Sequence, residues 1–353
     1  MAAAEAARRA IDDKQAPHRI SDDSFIDVPR RLRETLGRLI GAPASEVILG
    51  NSASYGLQLL ANALPWAPGD EVLVPRDEFP ATVFPWLVAT QHGIRVRQLD
   101  ISERVLGPDR LESELSSRTR VVCLNWVRSL TGDVVDLLAL AELCVRRRIW
   151  LVVNATQGVG AMPFSVQIPG LAAVTSSGFK WLCGPYATGF CWIEPSLVQA
   201  MKPIQAYWLA LPEGGALDLN AEGEHRIRDD LGARAFDVFG TANFLNFTPW
   251  IVAVDYLLGI GIERIDSHNR SLVARLIDGA KANGFEVLSP EPPARLAHIA
   301  AFSLGDRATN LGAHRKLAEA GVDVALRGGN LRFSPHLYNS TDEIDFALEV
   351  LRR

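Results

Sequence analysis

A lysine directly follows a short apolar run that predicts a strand, a position from which a side chain can enter a ligand site. Lys180 comes after the run 172–177, which ends in two serines and is typical of a buried strand, and Gly178 lets the backbone turn tightly. If Phe179 and Trp181 wall the amine, desolvation lowers its pKa and leaves a free nucleophile. A surface lysine on an ordinary turn is the alternative, so the case depends on what the other strand ends carry.

Three further stretches place polar or aromatic groups where predicted strands end. Residues 50–56 (Gly-Asn-Ser-Ala-Ser-Tyr-Gly) lie between a strand and a helix, and their N–H groups and hydroxyls suit a phosphate, although they match no nucleotide-binding fingerprint. Phe79, in Asp-Glu-Phe-Pro, can stack on a flat ring, whereas Asn154 and Gln157 can orient a polar heterocycle. Taken alone, each stretch has a plainer interpretation as a capped turn or a hydrophobic staple.

Two arginines surround a glycine turn in the C-terminal part of the chain. Arg327 and Arg332 are separated by Gly-Gly-Asn-Leu, and such a pair can hold a carboxylate through bidentate hydrogen bonds. A lone arginine is usually a solvated charge, but a pair beside apolar strands is harder to explain in that way. A phosphate cradle, a stacking ring, a polar anchor, an amine and a carboxylate clamp together describe a site for pyridoxal 5'-phosphate.

The elements that must position these groups alternate between strands and helices. Strands are predicted at 47–49, 71–74, 96–99, 120–125, 149–153, 172–175 and 189–193, with helices at 57–64, 82–91, 109–115 and 136–147. This alternation is typical of a mostly parallel sheet with covered faces, whose strand ends meet at one edge where ligands bind. Other helices are predicted at 2–13, 26–40, 249–259, 262–283, 310–320 and 341–351, and short strands at 286–288, 300–304 and around 328–329. Residues 194–246 are less regular and are expected to form a long functional or interfacial excursion.

Composition restricts the class of protein. The 353 residues are 48% hydrophobic, enough for a large core and two domains, and a formal net charge of −5 indicates neither nucleic acid nor anionic membrane as a partner. No apolar run has membrane-spanning length and the start lacks a secretory pattern, so a cytoplasmic protein is expected. The 4 cysteines have neither CxxC nor metal-ligand spacing, which predicts buried free thiols and no metal site.

The chain resembles the class V aminotransferases, a family of fold-type I pyridoxal phosphate enzymes that includes cysteine desulfurases, isopenicillin N epimerase-like proteins and kynureninase. The most specific match runs from Asn-Ala-Thr-Gln at 154–157 to Ser-Gly-Phe-Lys at 177–180 and the Gly-Pro turn that follows. The resemblance covers nearly the whole chain and implies an α/β fold with a mostly parallel seven-stranded sheet in a large domain, residues 18–254. It also implies a smaller α+β domain, made of 1–17 and 255–353, and a homodimer.

Positions that match the family motifs imply a cofactor site. The matching residues are Ala53, Ser54, Tyr55 and Ser177 at the phosphate; Phe79, Asn154 and Gln157 around the ring; Lys180, which would carry the internal aldimine; and Gly240 and Thr241, which would reach a phosphate across the dimer interface. By the same resemblance, Arg332 holds the α-carboxylate of the substrate, with Arg327 in support.

The chain also departs from the family pattern. Asn154 stands where the family has an aspartate against the pyridine nitrogen, and a neutral amide stabilises a carbanion less than that arrangement does. Phe179 replaces a frequent histidine. No cysteine follows Cys191, and Arg327 is joined to Arg332 by only four residues, so persulfide chemistry on a desulfurase-type loop cysteine is not predicted. The N-terminal strand that usually lines the substrate pocket is expected to be missing.

The expected function is pyridoxal phosphate-dependent chemistry on an α-amino acid or a derivative. Transamination or Cβ elimination is predicted without a choice between the two, and epimerisation stays open. In each case Lys180 would move the Cα proton as general base. The alternative is a degenerate homologue that binds the cofactor, or only dimerises, with little turnover because of Asn154 and the shortened N-terminus. A nucleotide-binding α/β protein is a weaker third hypothesis.

Overall fold

The computed structural model describes residues 2–101, 105–207, 230–290 and 295–352. The first elements along the chain build a large sheet and its covering helices. They are α1 (Ala2–Gln15), α2 (Asp22–Ile40), β1 (Val47–Gly50), α3 (Ala53–Ala63), β2 (Glu71–Pro75), α4 (Pro80–Ala89), β3 (Arg95–Leu99), α5 (Pro108–Glu114), β4 (Thr119–Asn125), α6 (Leu137–Arg147), β5 (Trp150–Asn154), β6 (Leu171–Ser177), β7 (Gly189–Ile193), α7 (Pro195–Ala200) and α8 (Phe244–Ile260). The later elements are α9 (Ile262–Ala282), β8 (Glu286–Val287), β9 (Ala300–Ser303), α10 (Arg307–Glu319), β10 (Ala325–Arg327), β11 (Asn330–Phe333) and α11 (Thr341–Arg352).

Strands β1 to β7 form one sheet in the order β1-β7-β6-β5-β4-β2-β3. The strands from β6 to β3 in this order run parallel, whereas β7 and β1 join one end in antiparallel pairs. Strands β4 to β7 are almost wholly buried because helices cover both faces of the sheet. The predicted α/β class with a mostly parallel seven-stranded sheet is confirmed.

The parallel direction of β2, β4, β5 and β6 brings their carboxyl ends to one edge. Asn125, the last residue of β4, is level with Asn154, the last residue of β5, and Asn154 is level with Thr175 in β6. Beyond β2 the chain passes through residues 76–79 before α4 begins. The edge therefore collects side chains from four separate parts of the sequence, as ligand sites of such sheets require.

Several helices begin earlier than the sequence predicts, and α3 and α8 show why. The turn predicted at 50–56 is shorter, since α3 begins at Ala53, where the Ser52 hydroxyl caps the helix by accepting from the Tyr55 N–H at 3.2 Å. Helix α8 begins at Phe244 and continues through Pro249, although proline lacks the N–H that a helix interior uses. Its core face is deeply buried, which indicates that packing outweighs this local cost.

The C-terminal part contains a second, smaller sheet in the order β10-β11-β9-β8, with antiparallel pairs. Helices α9, α10 and α11 contribute apolar side chains such as Leu276, Leu317 and Leu348 to a core that includes Phe302 and Leu331 of the sheet. A smaller C-terminal unit of α+β type is thus confirmed. The predicted domain boundaries, between residues 17 and 18 and between residues 254 and 255, stay a prediction. Helix α1 packs on α8, and α8 continues across the second boundary.

The irregular stretch predicted at 194–246 contains α7, a 3₁₀ turn at Gly232–Phe236 and the first residues of α8, whereas 208–229 lie outside the described residues. Among the helices that the structure describes, none alone has the length and apolar character to cross a membrane. Helices α8 and α9, bent by 80° at their junction, meet those two criteria only as a pair.

Candidate active site

The turn after β6 carries Lys180 and is shaped by close packing against α8. The Gly178 N–H donates to the Thr188 carbonyl at 2.9 Å, and the Gly184 N–H donates to the Gly178 carbonyl at 2.8 Å. A Cβ atom at Gly178 would lie 2.6 Å from the Trp250 ring, and one at Gly184 would lie 2.4 Å from it. Only glycine fits at these distances, because a side chain at either position would collide with the Trp250 indole.

The Lys180 amine is partly withdrawn from water. Its Nζ lies 5.3 Å from the centroid of the Phe79 ring. Burial, as the larger cause, and the positive charges of Arg332 and Arg327 together lower the pKa of Lys180 to about 8. A larger fraction of this amine is therefore unprotonated near neutral pH than for an exposed lysine, which is the condition for nucleophilic attack.

The expected wall of Phe179 and Trp181 is only half correct. Phe179 lines the same cavity as Lys180 and stacks on Tyr186 with centroids 4.8 Å apart. Trp181 instead turns into the core, where it is 4% exposed and stacks on His336 at 5.1 Å. Consecutive side chains in a turn point in different directions, so one of two neighbours faces the cavity and the other does not.

The predicted burial of the cysteines is correct for three of them. Cys123, Cys144 and Cys191 are buried, whereas Cys183 is exposed in the turn after Lys180. Cys183 has a left-handed backbone with φ of 51°, which ends the apolar stretch that suggested a buried position. The reversal of the chain places Cys183 at the surface, with its Sγ 3.7 Å from His336 Nε2.

A cavity of about 560 Å³ at the carboxyl edge of the sheet gathers most of the predicted site. Predicted residues that line it are Ala53, Ser54, Phe79, Asn154, Gln157, Ser177, Lys180, Arg327 and Arg332. The structure thus brings together residues that are up to 279 positions apart in sequence, from Ala53 to Arg332.

Tyr55, Gly240 and Thr241 are not among the described residues that line this cavity. The Tyr55 hydroxyl donates to the Phe236 carbonyl at 2.8 Å, so its side chain is engaged elsewhere. Gly240 is exposed with a left-handed φ of 77°, and Thr241 is 5% exposed. Their predicted role concerns the site of a second copy, and it stays a prediction.

The predicted phosphate end is built from the N-terminus of α3 and the end of β6. The Ala53 N–H donates to the Ser177 hydroxyl at 3.1 Å, and the Ser177 N–H donates to the Thr156 hydroxyl at 3.1 Å. Ser54 is exposed at the first turn of α3 and lines the cavity. Because a helix N-terminus carries partial positive charge and unpaired N–H groups, this end of the cavity suits an anion.

A network of amides and hydroxyls lies at the ends of β4 and β5 and includes Thr82 of α4. Asn154 Nδ2 donates to Thr82 Oγ1 at 3.0 Å, and Thr82 Oγ1 donates to Asn125 Oδ1 at 2.6 Å. The Thr156 backbone N–H donates to Asn154 Oδ1 at 3.2 Å. Sequence reasoning missed Thr82, Asn125 and Thr156. One sequence signal points to Asn125, which ends a predicted strand, but that this strand pairs with the strand of Asn154 is seen only in the structure.

Glu78 is a further site residue that the sequence did not single out. It lines the cavity beside Phe79, and its Oε1 accepts from the Asn125 N–H at 3.3 Å. Desolvation raises the pKa of Glu78 to about 7, an effect that the Asn125 hydrogen bond and the charge of Arg128 only partly oppose. The half-buried carboxyl can therefore exchange a proton near neutral pH.

We predict that Glu78→Gln flattens the pH dependence of stability. The pKa of Glu78 is about 7 in the native protein against an ordinary 4.5, so its contribution to stability is full below pH 4.5 and is lost as the pH rises through about 7. The loss in unfolding free energy across this window should shrink in the variant by about 3 kcal/mol. Denaturant titrations at several pH values measure it, with Asp77→Asn as the neighbouring control. Equal pH profiles for wild type and Glu78→Gln would contradict the assignment.

The two arginines differ in their surroundings. Arg332, on β11, is half-buried and donates from one terminal nitrogen to the Ser129 carbonyl at 2.7 Å, which joins the small sheet to the loop after β4. Its Nε is buried and has no hydrogen-bond partner among the described residues. Burial lowers the pKa of Arg332, and the charge of the exposed Arg327 acts in the same direction. A buried donor without an acceptor is costly, so a hydrogen-bond acceptor at this place would stabilise the arginine.

Comparisons with known proteins identify the family of this chain. A family model of class V aminotransferases matches residues 17–345. A probable cysteine desulfurase of Methanothermobacter thermautotrophicus is 28% identical over 335 residues, covering 90% of this chain and 82% of the relative. The isopenicillin N epimerase of Streptomyces clavuligerus is 26% identical over 339 residues, with 90% and 82% covered. A solved structure of the cystine C–S lyase C-DES with cysteine persulfide has a TM-score of 0.90 at 19% identity, covers 100% of this chain and 94% of that one, and is similar in fold.

The chain belongs to the class V aminotransferase family. Members are pyridoxal phosphate-dependent enzymes of the aminotransferase and lyase type, and this protein is one of them. The described site fits that cofactor on its own chemistry: an amine whose pKa is about 8, a helix N-terminus for an anion, and an aromatic ring beside the amine. Membership of the family does not specify the reaction or the substrate.

Proposed function

We propose that the cavity binds pyridoxal 5'-phosphate covalently at Lys180 and acts on an α-amino acid or a derivative by transamination or Cβ elimination. The observation that carries the proposal is the Lys180 amine, which lines a cavity of about 560 Å³ and whose pKa is lowered to about 8 by burial and two arginines. An amine in this state attacks a carbonyl carbon near neutral pH, whereas an exposed lysine is almost fully protonated.

The surrounding residues would hold different parts of the cofactor. The N-terminus of α3, with Ser54 and the Ser177 hydroxyl, would hold the phosphate, and Phe79 would pack against the ring. Asn154 and Gln157 would bind the polar edge of the ring. When bound, the cofactor supplies an electron sink for the substrate.

The substrate end is positively charged and lies beside the base. Arg332 offers its buried, unpaired Nε to a carboxylate, and Arg327 adds charge from the exposed rim. Lys180 Nζ is the group that can accept or return the Cα proton, because its pKa of about 8 is close to the working pH. Glu78, with a pKa of about 7, is a second proton-exchanging group in the cavity.

Sulfur transfer to a protein thiol is not part of this proposal. One relative is named a probable cysteine desulfurase. In this chain β10 and β11 are joined directly by Gly328 and Gly329, and no cysteine follows Cys191 in the sequence. A reaction that releases its product to solvent suits this arrangement better than one that needs a cysteine on that hairpin.

One observation favours a second candidate, a cofactor-binding homologue with little turnover. Asn154 is neutral and stands where the family has a carboxylate against the pyridine nitrogen. Its amide is hydrogen-bonded to Thr82 and Thr156. A weaker electron sink slows every step that needs negative charge at Cα.

The test is to purify the protein, add pyridoxal 5'-phosphate and record the absorption spectrum. Borohydride reduction followed by peptide mass spectrometry locates the attachment, and a panel of amino acids then reveals which ones change the spectrum and are turned over. A protein that takes up no cofactor contradicts the proposal. Uptake at Lys180 without turnover of any amino acid supports the second candidate instead.

We also propose that the enzyme is a homodimer. Helix α4, which follows Phe79 of the cavity, exposes a row of apolar side chains: Phe84 is 61% exposed, Leu87 38% and Val88 53%. An apolar row of this kind is suited to an interface between copies. Gly240 and Thr241 would then reach the partner's cavity.

Phe84→Glu is expected to convert the dimer to a monomer and to weaken cofactor binding, because a charge would be buried in the interface. Sedimentation of the wild type should give about twice the chain mass of 38.5 kDa. Leu138→Glu is the matched control, since Leu138 is 52% exposed on α6. A wild-type monomer with fully bound cofactor would rule the proposal out.

A further inference from the structure

Two amide side chains at the ring end of the cavity are each fixed by a group that can only donate. The Thr156 backbone N–H donates to Asn154 Oδ1 at 3.2 Å. The Trp181 indole N–H donates to Gln157 Oε1 at 3.1 Å. Because an N–H has no lone pair to offer, both amide oxygens must face these donors, and neither amide can be reversed without setting two donors against each other.

The hydroxyl next to Asn154 completes the hydrogen bonds of its amide. Thr82 has one hydroxyl hydrogen and gives it to Asn125 Oδ1 at 2.6 Å. Thr82 Oγ1 must therefore accept the hydrogen bond that it shares with Asn154 Nδ2 at 3.0 Å. Nδ2 carries two hydrogens, and this bond uses one. Asn154 is 5% exposed and lines the cavity, so the second hydrogen is available to a ligand there.

We propose that Asn154 is held as a hydrogen-bond donor towards the cavity and therefore selects a ring nitrogen that carries no proton. This inference rests on the proposed function and specifies the state of the bound cofactor. An aspartate at the same position accepts a hydrogen bond and keeps the ring nitrogen protonated. In the orientation set by Thr156 and Thr82, Asn154 instead donates a hydrogen bond and favours an unprotonated ring nitrogen. Thr156 and Thr82 are therefore positioning residues for the Asn154 amide.

The charges around the cavity favour the same state. Lys180, Arg327 and Arg332 line it, and their positive charges oppose a further positive charge on the ring. The carboxyl groups among the described lining residues are those of Asp77 and Glu78, and the pKa of Glu78 is raised to about 7. Neither is a hydrogen-bond partner of Asn154, whose partners are Thr82 and Thr156. The ring nitrogen thus meets an amide N–H in place of an anion.

The direct experiment is a nitrogen NMR spectrum of the intact protein loaded with pyridoxal 5'-phosphate labelled at the ring nitrogen. Protonated and unprotonated pyridine nitrogens resonate far apart, so the readout does not depend on turnover. The wild type should give the unprotonated signal. Asn154→Asp should give the protonated one and bind the cofactor about tenfold more tightly, the ratio expected from a charge-assisted in place of a neutral hydrogen bond.

Variants at Thr82 test the positioning. Thr82→Ser keeps the hydroxyl and should leave the nitrogen signal in place, whereas Thr82→Val removes the acceptor and should move or broaden it. A protonated nitrogen in the wild type overturns this inference even if Asn154→Asp fails to fold, and so does a Thr82→Val signal identical to that of the wild type. Failure of the wild type to take up cofactor overturns the proposed function itself, so the two failures are distinguishable.

Discussion

Lys180→Ala should form no borohydride-reducible bond to the cofactor. Its turnover should fall by about 10²–10⁴-fold, the range associated with loss of a general base. The variant removes both roles assigned to one amine, covalent attachment and transfer of the Cα proton. Its pKa of about 8 is produced mainly by burial, so no exposed lysine can replace it at equal efficiency.

Cofactor should still bind to Lys180→Ala, but without the covalent bond. The N-terminus of α3, Ser177 and Phe79 remain in place to hold the phosphate and the ring. Mass spectrometry after reduction, with dialysis to measure retention, separates the two kinds of binding. Lys202→Ala is the matched control, because Lys202 is exposed and does not line the cavity. An adduct that persists in Lys180→Ala would move the reactive amine to another residue.

The sheet could be predicted because its strands are short apolar runs separated by helical periods, and both patterns are local. Element ends were less predictable. Helix α3 begins at Ala53 because the Ser52 side chain caps it, which removes four residues from the predicted turn at 50–56. Helix α8 passes through Pro249, because burial of Phe247 and Trp250 outweighs a local preference to stop there.

The candidate site was predictable where its residues follow strands directly. Asn154, Ser177 and Lys180 occupy the carboxyl edge for that reason. Thr82 and Asn125 were missed because their importance depends on which strands are neighbours and on helix α4 lying above them, neither of which is a local property. Trp181 was assigned to the wall of the cavity, but it donates to Gln157 from the core, since periodicity does not give side-chain direction in a turn.

Arg332→Lys should weaken binding of an α-amino acid by about 10–100-fold and leave cofactor binding unchanged. In the wild type, one terminal nitrogen is committed to the Ser129 carbonyl, and the buried Nε has no partner among the described residues. A carboxylate that accepts from Nε and from the second terminal nitrogen completes the guanidinium, whereas lysine offers a single ammonium group. The expected loss corresponds to about 1.5–3 kcal/mol for a hydrogen bond to a charged group.

Spectral titration with an amino acid and with the amine that lacks its carboxylate measures this effect. The amine should bind wild type and Arg332→Lys equally, because it has no group for the clamp. Arg327→Lys is the control for charge alone: Arg327 is exposed, and its side chain donates to the Leu326 carbonyl, so the loss should be a few-fold at most. If Arg332→Lys lost the same affinity for the amino acid and for the amine, the substrate carboxylate would have to bind to another residue.

The same guanidinium also acts on the amine across the cavity, which gives a second readout on cofactor-free protein. Arg332 lowers the pKa of Lys180 by its charge, so Arg332→Gln should raise that pKa from about 8 towards its ordinary 10.5, whereas Arg332→Lys should leave it nearly unchanged. Because only the unprotonated amine reacts, attachment of added cofactor at a given pH near 8 should be slower in Arg332→Gln. Its pH midpoint should move upward only in part, since burial is the larger cause and remains. A midpoint shared by all three proteins would mean that Arg332 does not reach the amine electrostatically, and the carboxylate clamp and the base would then belong to separate sites.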